Sequence, residues 1–184
     1  MNVNSEDVHR NIEIKAKIRD YDKIMAGVQA MCSSHGEVMK QEDVFFNVPN
    51  GRLKLRKRSD YSVYELIYYE RPDTEGPKLS LYSKCNIPHG EDLLNVLAMS
   101  LGVKGIVKKT RHLFLIEHTR IHVDDVEGLG KYFEIEVCLT KDQTPEDGEK
   151  IAEIIMEKLG IHHSDLVTGA YLDHLPKSSQ PTEV

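Results

Sequence analysis

The most constraining feature of this sequence is a strict alternation of polar and apolar residues in short segments. In NIEIKAKI, residues 11–18, the odd positions are Asn, Glu or Lys and the even positions are Ile or Ala. The same period of two recurs in RLKLR at 52–56, KLSLYSK at 78–84 and TRIHVDDV at 119–126. Successive side chains of a β-strand point to opposite faces, so this period predicts strands with one polar and one apolar face.

The order of the segments favours an antiparallel sheet. Pro49-Asn50-Gly51 separates two strand-like runs and predicts a hairpin. Only three segments have helical character: one that begins near Asp20 and ends at Gly36, one at 91–101, and one that begins at Thr144 and ends before Gly160. A doubly wound parallel sheet needs helices between most strands, so seven or eight consecutive strands with three helices predict an α+β fold.

Length and charge narrow the class of protein. The 184 residues predict one domain over 1–175 and a tail at 176–184 that is expected to be disordered. Three widely spaced cysteines, no apolar N-terminal core and no run of about 20 apolar residues predict a cytoplasmic protein outside the membrane. A net charge of −6 argues against nucleic acid as a partner.

The polar faces of the predicted strands carry charges of one sign. Arg52, Lys54 and Arg56 make a basic face, whereas Glu134 and Glu136 make an acidic one. Like charges on one face repel, and a ligand of the opposite sign relieves the repulsion. Basic strands suggest a polyanion and acidic pairs suggest a divalent cation, so together they suggest a metal–polyphosphate site. Charged edge strands that prevent aggregation are the alternative interpretation.

Several motifs, in this order, resemble the CYTH superfamily. They are NIEIK at 11–15, GRLKLR at 51–56, RIHVD at 120–124 with VEGLG at 126–130, and FEIE at 133–136. The resemblance runs from about residue 9 to residue 173. It implies the triphosphate tunnel fold, an antiparallel eight-stranded closed barrel with flanking helices. The family includes class IV adenylyl cyclases, thiamine triphosphatases and inorganic triphosphatases, so a small molecule with a triphosphate group is the implied partner.

The resemblance also implies roles for individual residues. The Mg²⁺ or Mn²⁺ ligands would be Glu13, Asp124, Glu134 and Glu136. The substrate would be bound by Lys15, Lys54, Arg56, Arg71, Lys78, Lys109, Arg111 and Arg120. Of these groups, the catalytic ones would be Glu13, Lys15, Arg56 and Arg120. His122 is interpreted as a structural residue, a partner of a ligand or a general base, and Tyr171 as a residue that closes one tunnel mouth or simply packs there.

The sequence departs from the family's Glu-x-Glu-x-Lys signature at its first position, which is Asn11. Asn keeps an oxygen but lacks the charge, so metal affinity is expected to fall or one metal position to be lost. Three functions stay open at this point: a metal-dependent triphosphate hydrolase, an adenylyl cyclase that releases pyrophosphate, and a module that binds a polyphosphate without turnover. A monomer and a homodimer are both open.

Overall fold

The computed structural model describes residues 8–32, 36–59 and 63–176. Its strands are β1 (His9–Lys17), β2 (Glu37–Phe46), β3 (Arg52–Arg58), β4 (Tyr64–Glu70), β5 (Lys78–Ile87), β6 (Val103–Ile116), β7 (Thr119–Val126) and β8 (Gly130–Cys138). Its α-helices are α1 (Tyr21–Met31), α2 (Gly90–Leu101), α3 (Pro145–Leu159) and the short α4 (Tyr171–His174). None of these helices is long and apolar enough to cross a membrane.

The eight strands form a closed barrel in the order β1-β5-β4-β3-β2-β6-β7-β8. Every neighbouring pair is antiparallel, including the β1–β8 pair that closes the barrel. The predicted α+β class and eight-stranded antiparallel barrel are therefore confirmed.

The polar face of the sheet lies inside the barrel, and the apolar face lies outside under the helices. On β1, Glu13 and Lys15 face the interior, while Ile12 and Ile14 face outward and are fully buried. That outer face belongs to a core that also contains Val28 of α1 and residues of α3. Both faces of β1 are buried. Since the apolar face packs against α1 and α3, the polar face must point into the barrel.

Two further apolar clusters complete the shell. Leu55 of β3 and Phe46 of β2 pack with the inner face of α2. Leu172 of α4 packs at one end of the barrel with Val107 and Val126. A Cβ on Gly105 would collide with the Leu172 side chain, so a glycine in β6 lets α4 seat closely on the barrel.

The three predicted helices are present, α2 begins one residue earlier than predicted, and the short α4 was not predicted. Helix α3 begins with a Thr144–Asp147 capping box and ends at Gly160, as predicted. The prediction that α1 continues to Gly36 was wrong: it ends at Met31, because the backbone of Cys32 is extended. Residues 177–184 of the predicted tail lie outside the described residues.

Candidate functional site

A cavity of about 220 Å³ occupies the barrel interior, and all eight strands and Tyr171 contribute to its lining. Its charged lining residues comprise nine cations and five carboxylates. The cations are Lys15, Lys54, Arg56, Arg58, Arg71, Lys84, Lys109, Arg111 and Arg120. The carboxylates are Glu13, Asp43, Glu65, Glu134 and Glu136. The cavity therefore carries an excess of positive charge at neutral pH, and the alternation of each strand produces it.

The basic side of the cavity is organised around Asp43. Arg56 donates two hydrogen bonds to this carboxylate, from Nε at 2.6 Å and Nη2 at 2.9 Å. Lys54 and Lys109 donate to its Oδ2 at 3.1 Å and 2.9 Å. Three cations from two strands thus converge on one buried carboxylate, which holds them together in the absence of an anionic ligand.

The electrostatics of this side depend on burial and on crowding of like charges. Burial opposes ionisation of Asp43, but Arg56, Lys109 and Lys54 outweigh it and hold its pKa well below the usual range. Burial lowers the pKa of Lys109 to about 7, because Asp43 does not fully offset burial and the nearby Arg56 and Arg111. Lys109 is therefore a group whose charge an incoming anion would stabilise.

The acidic side lies where β1 meets β8. Glu13 pairs directly with Glu136 across the two strands, and Lys15 pairs with Glu134. Side chains at such positions have Cβ atoms about 4.5–5.5 Å apart, so two carboxylates there repel. Burial raises the pKa of Glu13, and Glu134 and Glu136 raise it further against the opposing effect of Lys15 and Arg71.

Each carboxylate of the acidic side has cationic partners. Glu13 forms ion pairs with Lys15 and Arg71. Glu134 contacts Lys15 at 3.0 Å and Arg111 at 2.6 Å. Glu136 accepts from Arg120 Nε at 2.7 Å. An anion or a cation that enters the cavity would therefore have to exchange partners with these ion pairs.

The donor atoms present fit a divalent cation. One ligand atom from each of His122, Glu134 and Glu136 lies within 4.8 Å of the other two. Among the described residues, the buried Asn11 Oδ1 lines the same cavity and accepts no hydrogen bond. Carboxylate and amide oxygens suit Mg²⁺ and Mn²⁺, and imidazole suits transition metals.

Two predicted site residues lie behind the lining. Asp124 is 0% exposed. It accepts two hydrogen bonds from Arg111 and a third from the Tyr171 hydroxyl at 2.9 Å. Lys78 donates to the carbonyls of Thr74 at 2.7 Å and Val167 at 3.5 Å. Asp124 therefore positions Arg111, and Lys78 connects two loops through their backbone carbonyls. The other predicted residues line the cavity.

Sequence reasoning missed Asp43 and the Gln41 beside it on the same face of β2. Neither residue was assigned to a strand from the sequence, whereas β2 begins at Glu37. The sequence does contain the period of two here, because Gln41, Asp43 and Phe45 occupy every second position, and all three line the cavity.

The chain has relatives of the same length. A protein of Methanocaldococcus jannaschii named "putative adenylate cyclase" is 26% identical over 177 residues, and the alignment covers 88% of this chain and 96% of the relative. A solved structure from Pyrococcus horikoshii is 24% identical with a TM-score of 0.75, covering 90% of this chain and 99% of that one. A "putative adenylate cyclase" structure from Vibrio parahaemolyticus is 18% identical with a TM-score of 0.73, covering 89% and 95%. At these identities the two structures establish a shared fold.

The family comparison covers the barrel as a whole. The CYTH domain profile matches residues 9–171, which begin at the first residue of β1 and end at the first residue of α4. The closed antiparallel barrel with a charged interior is the triphosphate tunnel. The chain belongs to the CYTH domain family.

Proposed function

We propose that this protein is a divalent-metal-dependent phosphohydrolase that binds a triphosphate in its basic tunnel. The main support for this proposal is the lining of the cavity, because nine Lys and Arg side chains surround a volume of about 220 Å³. Pockets for organic ligands are about 300–1,000 Å³, so this one suits a chain of phosphates better than a whole nucleotide. An organic group on the substrate would extend toward a tunnel mouth.

The tunnel residues supply positioning and charge stabilisation. Arg56 and Arg111 bind phosphate oxygens in bidentate geometry, and Lys15, Lys54 and Lys109 act as point charges. Arg120 lies beside the carboxylates, where it can stabilise charge that develops on the terminal phosphoryl group. A water then attacks the terminal phosphorus in line while the bond to the bridging oxygen breaks. Inorganic phosphate and the shortened polyphosphate leave, a water proton passes to solvent, and the reaction needs no nucleophilic side chain.

The metal would be held on the acidic side. A divalent cation bound there would supply charge neutralisation for the phosphate groups. Glu136 and Glu134 are our proposed ligands, and Glu13, whose pKa burial raises, is the third. Asp124 stays a weaker candidate, because Arg111 and Tyr171 occupy its oxygens. Mg²⁺ and Mn²⁺ are the expected ions.

A second candidate is an adenylyl cyclase that forms cyclic AMP and pyrophosphate from ATP. The observation that favours it is the name of the 26% identical relative, "putative adenylate cyclase". The same tunnel would hold the triphosphate, with the ribose 3′-hydroxyl directed at the α-phosphate. Binding without turnover is the third possibility, and the missing charge at Asn11 favours it. The cytoplasm, where nucleotides are available and the three cysteines can stay free, is the expected compartment.

The experiment incubates the protein with tripolyphosphate, ATP or thiamine triphosphate, each with Mg²⁺ or Mn²⁺. We expect inorganic phosphate from at least one substrate and no cyclic AMP. Glu136→Gln should lower turnover, and added metal should restore part of it, since the side chain loses its charge with little change in volume. Asn11→Glu restores the family signature and should strengthen metal binding.

The exposed Glu127 on the loop after β7 gives a matched control. Glu127→Gln should leave turnover unchanged at every metal concentration. Formation of cyclic AMP and pyrophosphate from ATP would contradict the hydrolase proposal and support the adenylyl cyclase. Tight binding of all three substrates without any product would leave only the binding module.

A further inference from the structure

We propose that His122 contributes a ring nitrogen to the metal site with Glu134 and Glu136, and that this nitrogen makes the site prefer Mn²⁺ to Mg²⁺. The inference rests on the proposed function, which places the divalent cation on the acidic side. It adds a ligand of a different chemical kind from the carboxylates.

The positions of the atoms support this assignment. His122 Nδ1 lies 3.0 Å from Glu134 Oε2 and 3.9 Å from Glu136 Oε1. Two ligands at right angles on an ion with bonds of about 2.1 Å are about 3.0 Å apart. The contact between His122 and Glu134 is a hydrogen bond, so a metal ion would replace it, and the two atoms already have the separation of adjacent ligands. Glu136 would have to move toward Nδ1.

Burial separates His122 from an ordinary surface histidine. Its side chain is 4% exposed, and it lines the cavity from β7 directly opposite Glu134 of β8. Asn11 is a further polar residue of this cavity, and its buried Oδ1 accepts no hydrogen bond among the described residues.

The nitrogen decides which ion fits. Mg²⁺ keeps oxygen ligands and dehydrates reluctantly, whereas first-row transition ions accept imidazole readily. Asn11 stands at the position of the first Glu in the family signature Glu-x-Glu-x-Lys. The site therefore has one negative charge fewer than the signature implies. An added imidazole then offsets lost affinity for Mn²⁺ more than for Mg²⁺.

Two ion pairs would couple the binding of the metal ion to the binding of the anion. Arg120 holds Glu136 and Arg111 holds Glu134. A polyphosphate that recruits these guanidinium groups frees the carboxylates for the cation. Mn²⁺ is therefore expected to bind more tightly when tripolyphosphate is present than when it is absent.

The test is pulsed electron paramagnetic resonance of the full chain with Mn²⁺ and tripolyphosphate. We expect a ¹⁴N coupling of a directly bound imidazole, and we expect ¹⁵N-labelled histidine to replace it with a ¹⁵N coupling. His122→Gln should remove the coupling and weaken Mn²⁺ binding at least tenfold, with a smaller change for Mg²⁺. His118→Gln, at an exposed position between β6 and β7, should change neither.

The labelling experiment needs no mutation. It shows whether a histidine binds the ion even if His122→Gln fails to fold, and His122 is the histidine among the residues that line the described cavity. Bound Mn²⁺ without any nitrogen coupling in the parent protein would overturn the proposal. That result would leave a measured phosphohydrolase activity intact. Conversely, a protein that released no product from any triphosphate could still show the coupling, so the two failures are distinguishable.

Discussion

Replacing Asp43 with Asn removes a buried charge that three cations share. Asp43 is 2% exposed and accepts from Arg56, Lys54 and Lys109 at 2.6–3.1 Å. The substitution keeps the shape and size of the side chain, so the barrel should still close. What changes is the compensation of positive charge inside the basic half of the cavity.

The expected loss of stability is large. Removing one partner of a buried ion pair costs about 3–5 kcal/mol, because the remaining charges stay buried without compensation. A chain of this length loses about 2–4 °C in Tm per kcal/mol, so Tm should fall by roughly 6–20 °C. Depression of the pKa of Asp43 means that this stability is present above the unfolded pKa of about 4 and disappears at lower pH. The difference between parent and variant should therefore shrink as the pH falls below about 4.

Tripolyphosphate should rescue the variant more than the parent. An anion in the tunnel supplies the negative charge that Asp43 supplied, so the variant gains more from it. Thermal melting with and without tripolyphosphate measures both effects. The matched control is Asp125→Asn, at an exposed Asp on β7 that pairs with Lys131 on the surface, and its Tm should change little. An unchanged Tm for Asp43→Asn, or equal rescue of the two proteins, would refute the reasoning.

Three further predictions concern single tunnel residues. Tripolyphosphate affinity should fall as the pH rises from 7 to 9, because the pKa of Lys109 is about 7 and binding needs its charge; Lys109→Met should flatten that dependence in calorimetry. Arg56→Ala should weaken tripolyphosphate binding about tenfold to a hundredfold without rescue by added metal, whereas Lys57→Ala on the outer face should bind normally. Tyr171→Phe removes the hydrogen bond to the buried Asp124 and should lower stability in denaturant unfolding by about 1.5–3 kcal/mol. An Arg56→Ala defect that excess metal repaired, or a Tyr171→Phe variant as stable as the parent, would contradict these assignments.

The alternation of polar and apolar residues alone predicted most of the strands. Strict period two in segments such as 11–18 and 119–126 predicted amphipathic strands, and their charged faces predicted a shared ligand. The pattern could not state which face points into a barrel, because both faces of β1 are buried, one under helices and one around the cavity. The resemblance to the CYTH family supplied the barrel closure.

The detailed partners could not be read from spacing. Asp43 meets Lys109, which lies 66 residues further along the chain, and Asp124 meets Tyr171, 47 residues away. Such pairs depend on strand order and on how α4 caps one end. Asp124 is the clearest case: the resemblance implied a metal ligand, and spacing could not show that its oxygens accept hydrogen bonds from Arg111 and Tyr171.

The most direct test of a metal–triphosphate tunnel is a crystal structure with tripolyphosphate and Mn²⁺, collected with anomalous scattering. We expect phosphate oxygens within hydrogen-bonding distance of Arg56, Lys109 or Arg111, and a manganese peak beside Glu134 and Glu136. The ion pairs that Arg56 and Arg111 make in the free protein should be partly exchanged for phosphate. Anions found only on the outer surface, with those ion pairs intact, would contradict the account.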